Sequence, residues 1–257
     1  MKIFPFKKEL CLPNTYLKEY NKNMLFFAWE LRKFRTNKYI IEKIRDFPFH
    51  LFGDSDGNEF FSAVVNTFFE MCLILAFKLS NDTSKGAYTI KKLRNELAKH
   101  IKKEYLKQFN SHLKEINFNK KLNVIDRKVR NLRNKALAHI DKSYAKGKLN
   151  LERISWTDFN IIENNLIDTF NGLSLNSEWM LLPISYDTRV RHPIDIDSRP
   201  DIIKILDFIA KESNFLNFPE GNPIGWKFEM EKISKEDLEL FNYYRRKNNL
   251  KEYVLQG

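Results

Sequence analysis

Apolar residues recur at mixed three- and four-residue steps through most of the first 172 positions, the spacing of amphipathic helices. The stretch 14–45, NTYLKEYNKNMLFFAWELRKFRTNKYIIEKIR, predicts one long helix, with Asn14 or Thr15 to cap its start. A loop follows, broken by Pro48, Gly53 and Gly57. Residues 59–80 predict a helix that is apolar nearly all round. Asn66, Glu70 and Lys78 lie within it or at its end and would be costly in lipid, so it is expected as a buried core helix and not as a membrane span. Beyond the turn NDTSKGA, residues 88–117 predict a lysine-rich helix capped by Thr89. Residues 122–142 predict another, and residues 155–171 another, where Ser155 and Asp158 resemble an acidic capping box.

The texture changes after Gly172. The run EWMLLPISYDTRVRHPIDIDSRPD carries Pro183, Pro193 and Pro200 among short apolar runs and suits a short strand or an extended arm. A helix is predicted behind Pro200, and SKEDLELFNYYRRKNNLKEYV predicts a closing one. The pattern therefore predicts an all-α fold: a helical domain over 1–175 and a mixed, mainly helical C-terminal extension over 176–257 whose role the pattern does not reveal. No internal repeat or low-complexity tract interrupts it.

Composition adds to this picture. Hydrophobic residues make up 43% of the 257 positions, enough for a real core. Only 8 Gly and 8 Pro fit long helices with few tight turns. A net charge of +11 favours a polyanionic partner, with nucleic acid first; the plainer reading is a soluble, lysine-rich surface. Cys11 and Cys72 are far apart and neither lies in a C-x-x-C pair, so no disulfide framework, zinc site or cofactor is expected. That cysteine usage makes a reducing cytoplasm the default, and the opening MKIFPFKKELCLPNT, interrupted by Lys7, Lys8 and Glu9, does not read as a signal peptide.

The candidate chemistry lies in RNLRNKALAHIDKS, residues 130–143. On a helix turning about 100° per residue, Ile125, Val129, Leu132, Ala136 and Ile140 form one apolar stripe. Arg133 and His139 then fall on its two edges, about 120° apart. One straight helix does not bring them together, whereas a twofold partner laid across the stripe would let Arg133 of one copy approach His139 of the other. An Arg with a His suits RNA cleavage. A histidine moves a proton near neutral pH, Arg holds the phosphate, and the RNA supplies its own 2′-OH nucleophile. The alternative is a half-buried helix histidine beside a solvated arginine.

RNKALAHID resembles the signature of the HEPN superfamily: an Arg, a polar residue (Asn134), a short spacer and a His. The preceding ILAFKLSNDTSKGAYTIKKLRNEL, residues 74–97, resembles the helix-turn-helix of the abortive-infection branch. The aromatic helix around LFFAWEL and the NEFF run also fit. The resemblance covers about residues 20–172 and not 176–257. It implies an all-helical HEPN-like bundle that forms homodimers and cleaves RNA without metal at a cleft where two motifs meet. Carried over, Arg133 contacts phosphate, Asn134 gives polar support, and His139 is the general acid/base. Such proteins act as toxins or phage-defence effectors, with an antitoxin or defence-system protein as a possible partner and no role at a membrane. Where toxins silenced by a nucleotidyltransferase carry a Tyr two residues past the His, this chain has Asp141, and its nearest tyrosine is Tyr144. A non-catalytic HEPN-like scaffold that binds RNA or a partner is the second reading.

Other residues are weighed beside the motif. Arg127 and Arg130 precede it on the same helix and would line an RNA path or form a solvated face. Lys91, Lys92, Arg94, Lys99, Lys102 and Lys103 suit a solvated face better than a binding stripe. His100 and His112, set among lysines, are expected at the surface, and His50 in a loop. Arg189, Arg191 and His192 form a minor basic cluster, and Asp195 and Asp197 are too few for a metal site. Trp29, Trp156, Trp179 and Trp226 are expected as core or interface anchors. YYRR, residues 243–246, would stack on and contact RNA or, more simply, place cations at a helix end.

Overall fold

The computed structural model describes residues 4–47, 49, 58–82, 84–132, 154–176, 179, 181, 201–212 and 234–254. Among these the fold is all-α. The helices are α1 (Lys8–Cys11), α2 (Asn14–Asp46), α3 (Asn58–Asn81), α4 (Ile90–His100), α5 (Lys103–Glu115), α6 (Phe118–Leu132), α7 (Trp156–Asn171), α8 (Asp201–Glu212) and α9 (Lys235–Lys247). The extended pairing among the described residues is a single-residue parallel bridge between Phe4 and Leu175. The chain forms two compact units, one from residues 1–39 and 67–183, the other from residues 40–66 and 184–257.

In the first unit α2 buries Tyr20, Met24, Phe27, Leu31 and Phe34, a four-three repeat that keeps one stripe inward. Phe159 of α7 fills the space beside Phe34 and stacks on Phe69 of α3, with ring centroids 5.5 and 5.1 Å away. The Tyr20 hydroxyl accepts from the Leu175 amide at 3.0 Å and donates to the Leu173 carbonyl at 3.3 Å, which fastens the chain after α7 onto α2. Lys121–Asp168 (2.6 Å) and Lys128–Asp158 are rungs that set α6 and α7 antiparallel.

In the second unit Phe47, Leu206, Ala210 and Phe241 form the core, flanked by Phe49, Phe61 and Tyr244. Helix α9 stops at Lys247, and the chain does not continue as the single closing helix the pattern predicts. Asn249, at φ 59°, takes the left-handed turn. The Leu250 amide bonds the Arg245 carbonyl, and the Asn249 amide bonds the Arg246 carbonyl, a Schellman end. Asn242 then grips Tyr253 by two hydrogen bonds, 2.8 and 3.0 Å, so the tail folds back. Among the described residues, the non-glycine positions in the left-handed region, Asn117, Asn176 and Asn249, are all asparagines, which tolerate it best after glycine.

Two further expectations are corrected. The helix predicted over 88–117 is two helices. Ile101 is extended at φ −63°, ψ 130° and buried, and the Lys102 amide turns away to bond the Cys11 carbonyl at 2.9 Å, so the ladder ends there. Helix α3 is not buried along its length. Cys72 to Phe77 and Leu79 lie largely in the core, but Phe60 is 67% and Met71 48% exposed. Apolar residues all round α3 select no face, so only the part flanked by neighbours is covered. By length and composition alone, Glu59–Ser80 is also apolar enough to cross a membrane.

Candidate functional site

Helix α6 leads directly into the motif. Leu122, Ile125 and Val129 are buried, as the apolar stripe predicts, which turns Arg127 and Arg130 to solvent. Arg130 forks onto Asp126 one turn earlier. Its Nε donates to Oδ1 at 2.9 Å, and Nη2 lies 2.5 Å from Oδ2. This i, i+4 pair partly neutralises the Arg130 guanidinium. Arg127 is exposed and has no ion pair among the described residues. Arg133, Asn134 and His139 lie outside the described residues, as do Ala136 and Ile140, Asp141, Arg189, Arg191, His192, Asp195, Asp197 and Trp226.

Helix α7 backs α6 with charge. Ser155 accepts from the Asp158 amide at 3.1 Å, and the Ser155 amide donates to Asp158 Oδ2 at 3.1 Å, so the capping box forms as expected. The Lys128 ammonium first, and then the Ser155 hydroxyl and amide, hold the Asp158 carboxyl below the usual carboxylate range. Glu163 sits deeper. It lies 3.3 Å from Arg35 Nε and 2.7 Å from Lys38 Nζ, cations that are each only 8% exposed. Lys38 also stands 5.4 Å from the centre of the Trp156 ring. Sequence reasoning missed this cluster. Its signal was a carboxylate next to the buried face of α7 formed by Phe159, Ile162 and Leu166.

Both cysteines sit where the thiolate is disfavoured. Burial pushes the Cys11 thiol up to about 11 and the Cys72 thiol higher still, with the Glu163 charge adding to the latter. Both are free and buried.

His112 corrects a surface expectation. It is buried, and its ring Nε2 donates to the Gly172 carbonyl at 3.2 Å. Burial lowers its pKa below the ordinary 6.5, outweighing the Gly172 carbonyl and Glu115, which both raise it. The missed signal is its spacing with buried Phe109, Leu113 and Ile116 on one face of α5. His100 is exposed, as expected, and stacks flat on Tyr16 with ring centroids 3.8 Å apart. Trp29 is 53% exposed and is no core anchor, whereas Trp156 is half-buried against Phe159. Arg245 of YYRR is buried and donates to the Lys251 carbonyl at 2.6 Å, and Arg246 pairs with Glu252 at 2.7 Å. These cations therefore tie the tail to α9.

Residues 48–175, about half of the chain, match the HEPN_AbiU2 family, described as AbiU2. The match runs from before α3 to the end of α7 and includes all of RNLRNKALAHIDKS. This region belongs to the HEPN superfamily, in its abortive-infection branch, and the all-α fold agrees with that membership. No curated protein and no solved structure matches the chain.

Proposed function

We propose that this protein is a metal-independent endoribonuclease, a toxin or phage-defence effector, whose site is completed by a second copy of the chain. The observation that carries this reading is the Arg133–Asn134 and His139 motif inside the HEPN match. His139 takes the proton from the RNA 2′-OH, the 2′ oxygen bonds to phosphorus, and the P–O5′ bond breaks. The protonated His139 returns a proton to the leaving 5′ oxygen, and the other product end is a 2′,3′-cyclic phosphate. Arg133 holds the phosphate and stabilises its growing charge, and Asn134 supports it. Arg127 and Arg130 guide the strand towards the motif along α6. No cofactor is needed in this chemistry, because the substrate brings its nucleophile. Two buried, neutral thiols suit a cytoplasmic protein. An antitoxin or defence-system protein is the natural partner to hold such an enzyme in check.

The test is cleavage of cellular RNA by the full chain beside Arg133→Ala and His139→Ala. The proposal requires activity in the wild type and its loss in both variants while helix content is unchanged. Equal cleavage by all three would sink it.

A second reading is a non-catalytic HEPN-like scaffold that binds RNA or a partner protein. The separately cored second unit, built around Phe47 and Phe241, favours it. That reading requires salt-sensitive RNA binding with no turnover.

A further inference from the structure

Helices α4, α5 and α6 border a basic cleft that the HEPN motif does not use. Arg94 of α4 stands at its centre. On one side Lys91 and Arg94 face Asn119 and Asn123 of α6 around a space of about 310 Å³. On the other side Arg94, Lys114, Asn117 and Lys120 border a second space of about 360 Å³. No carboxylate is among the described residues that line either space.

Three observations converge on an anion. Arg94 is half-buried, and its guanidinium carbon lies 5.8 Å from the centre of the buried Phe118 ring. A guanidinium laid against a ring keeps its in-plane N–H groups for a ligand. Its Nε, closed off from the cleft, has no hydrogen-bond partner among the described residues, so no protein acceptor offsets that part of the charge. Asn117, at φ 56°, makes the turn that starts α6 beside Arg94, so the positive dipole end of a 15-residue helix borders the same cleft. Lys91, Lys114 and Lys120 add mobile positive charge at the rim, and the asparagine amides offer both donors and acceptors to a sugar or base edge.

We propose that this cleft is a nucleotide-phosphate site, with Arg94 as its phosphate-binding residue and Lys91 and Lys120 as flanking charges. A phosphate in the cleft offsets the guanidinium charge, which no carboxylate of the described lining balances. The same chemistry fits a phosphate of a single RNA strand, whose successive phosphates would occupy both spaces, or a free nucleotide, which needs one. The proposal does not depend on whether the chain cleaves RNA, because it is read by binding alone.

The test uses the full chain at constant ionic strength. One probe is a short fluorescent 2′-O-methyl oligouridylate, which lacks the 2′-OH and cannot be turned over; the competitor is ATP. Arg94→Gln is expected to weaken probe binding about tenfold, the loss of one charge-assisted hydrogen bond. The paired variant Lys91→Glu with Lys120→Glu, both exposed positions, is expected to do at least as much and carries the test if Arg94→Gln does not fold. Oligomer binding that ATP does not displace assigns the site to a strand, and ATP binding that weakens in the variants assigns it to a free nucleotide. Binding of neither probe, or equal binding by wild type and the paired variant, overturns the proposal.

Discussion

His112 and Gly172, sixty residues apart in the chain, are joined where the end of α5 meets the end of α7: the imidazole Nε2 donates to the Gly172 carbonyl at 3.2 Å. The contact places a proton on Nε2, because a carbonyl can only accept.

That contact sets a pH dependence. Burial lowers the His112 pKa in the fold, so below the ordinary 6.5 the unfolded chain binds a proton that the fold refuses. Its contribution to stability is full above that value and is lost as the pH falls through it. The urea midpoint is expected to drop between about pH 7.5 and about pH 5, and to drop less in His112→Gln, which keeps a donor for Gly172 and cannot titrate. The same pH slope in both proteins would contradict this.

Gly172 also marks a close approach. A Cβ there would stand 2.1 Å from Cδ1 of buried Ile116 and 3.3 Å from the Asp168 carbonyl, although φ is an ordinary −65°. Gly172→Ala should destabilise the fold by about 1–3 kcal/mol through overpacking. Adding Ile116→Val, which removes that Cδ1, should restore part of the loss. Strict additivity of the two changes would show that the crowding lies elsewhere.

Glu163 neutralises two cations in a nearly closed environment. In Glu163→Gln, Arg35 and Lys38 stay in place without the carboxylate, and the expected cost is about 2–4 kcal/mol in chemical denaturation. A cost under about 0.5 kcal/mol would place the pair in the weak class of solvated ion pairs.

Arg127 and Arg130 should not contribute equally to RNA binding, because Asp126 already engages Arg130. Arg127→Ala is expected to lower the salt slope of binding by about one, the mark of one lost phosphate contact, and Arg130→Ala by less. Asp126→Asn should narrow the gap by releasing Arg130. A larger loss in Arg130→Ala than in Arg127→Ala would reverse the assignment.

Much of the fold is legible along the chain where the cause is local. The Ser155–Asp158 box forms, Thr89 accepts from the Lys92 amide at 3.2 Å, and the inward stripe of α6 runs through Ile125 and Val129. What escapes is set by distant partners. The break at Ile101 answers to the Cys11 carbonyl, and His112 is drawn inward by the apolar neighbours on its face and by Gly172. The cations beside Glu163 come from α2, more than a hundred residues earlier. The apolar surface of α3 names no partner, so its exposed Phe60 and Met71 could not be told from core. Likewise nothing in the pattern pairs residues 40–66 with 184–257. The motif residues Arg133, Asn134 and His139 rest on the sequence and on the family match.

The most direct measurement is RNA cleavage by the full chain in EDTA, wild type beside His139→Ala, with the product ends read by mass spectrometry. Cyclic-phosphate ends that appear with the wild type and vanish with the variant are the predicted result, and they make His139 the proton-transfer group. Cleavage that persists unchanged in the variant, or that the chelator abolishes, would contradict a metal-independent HEPN nuclease.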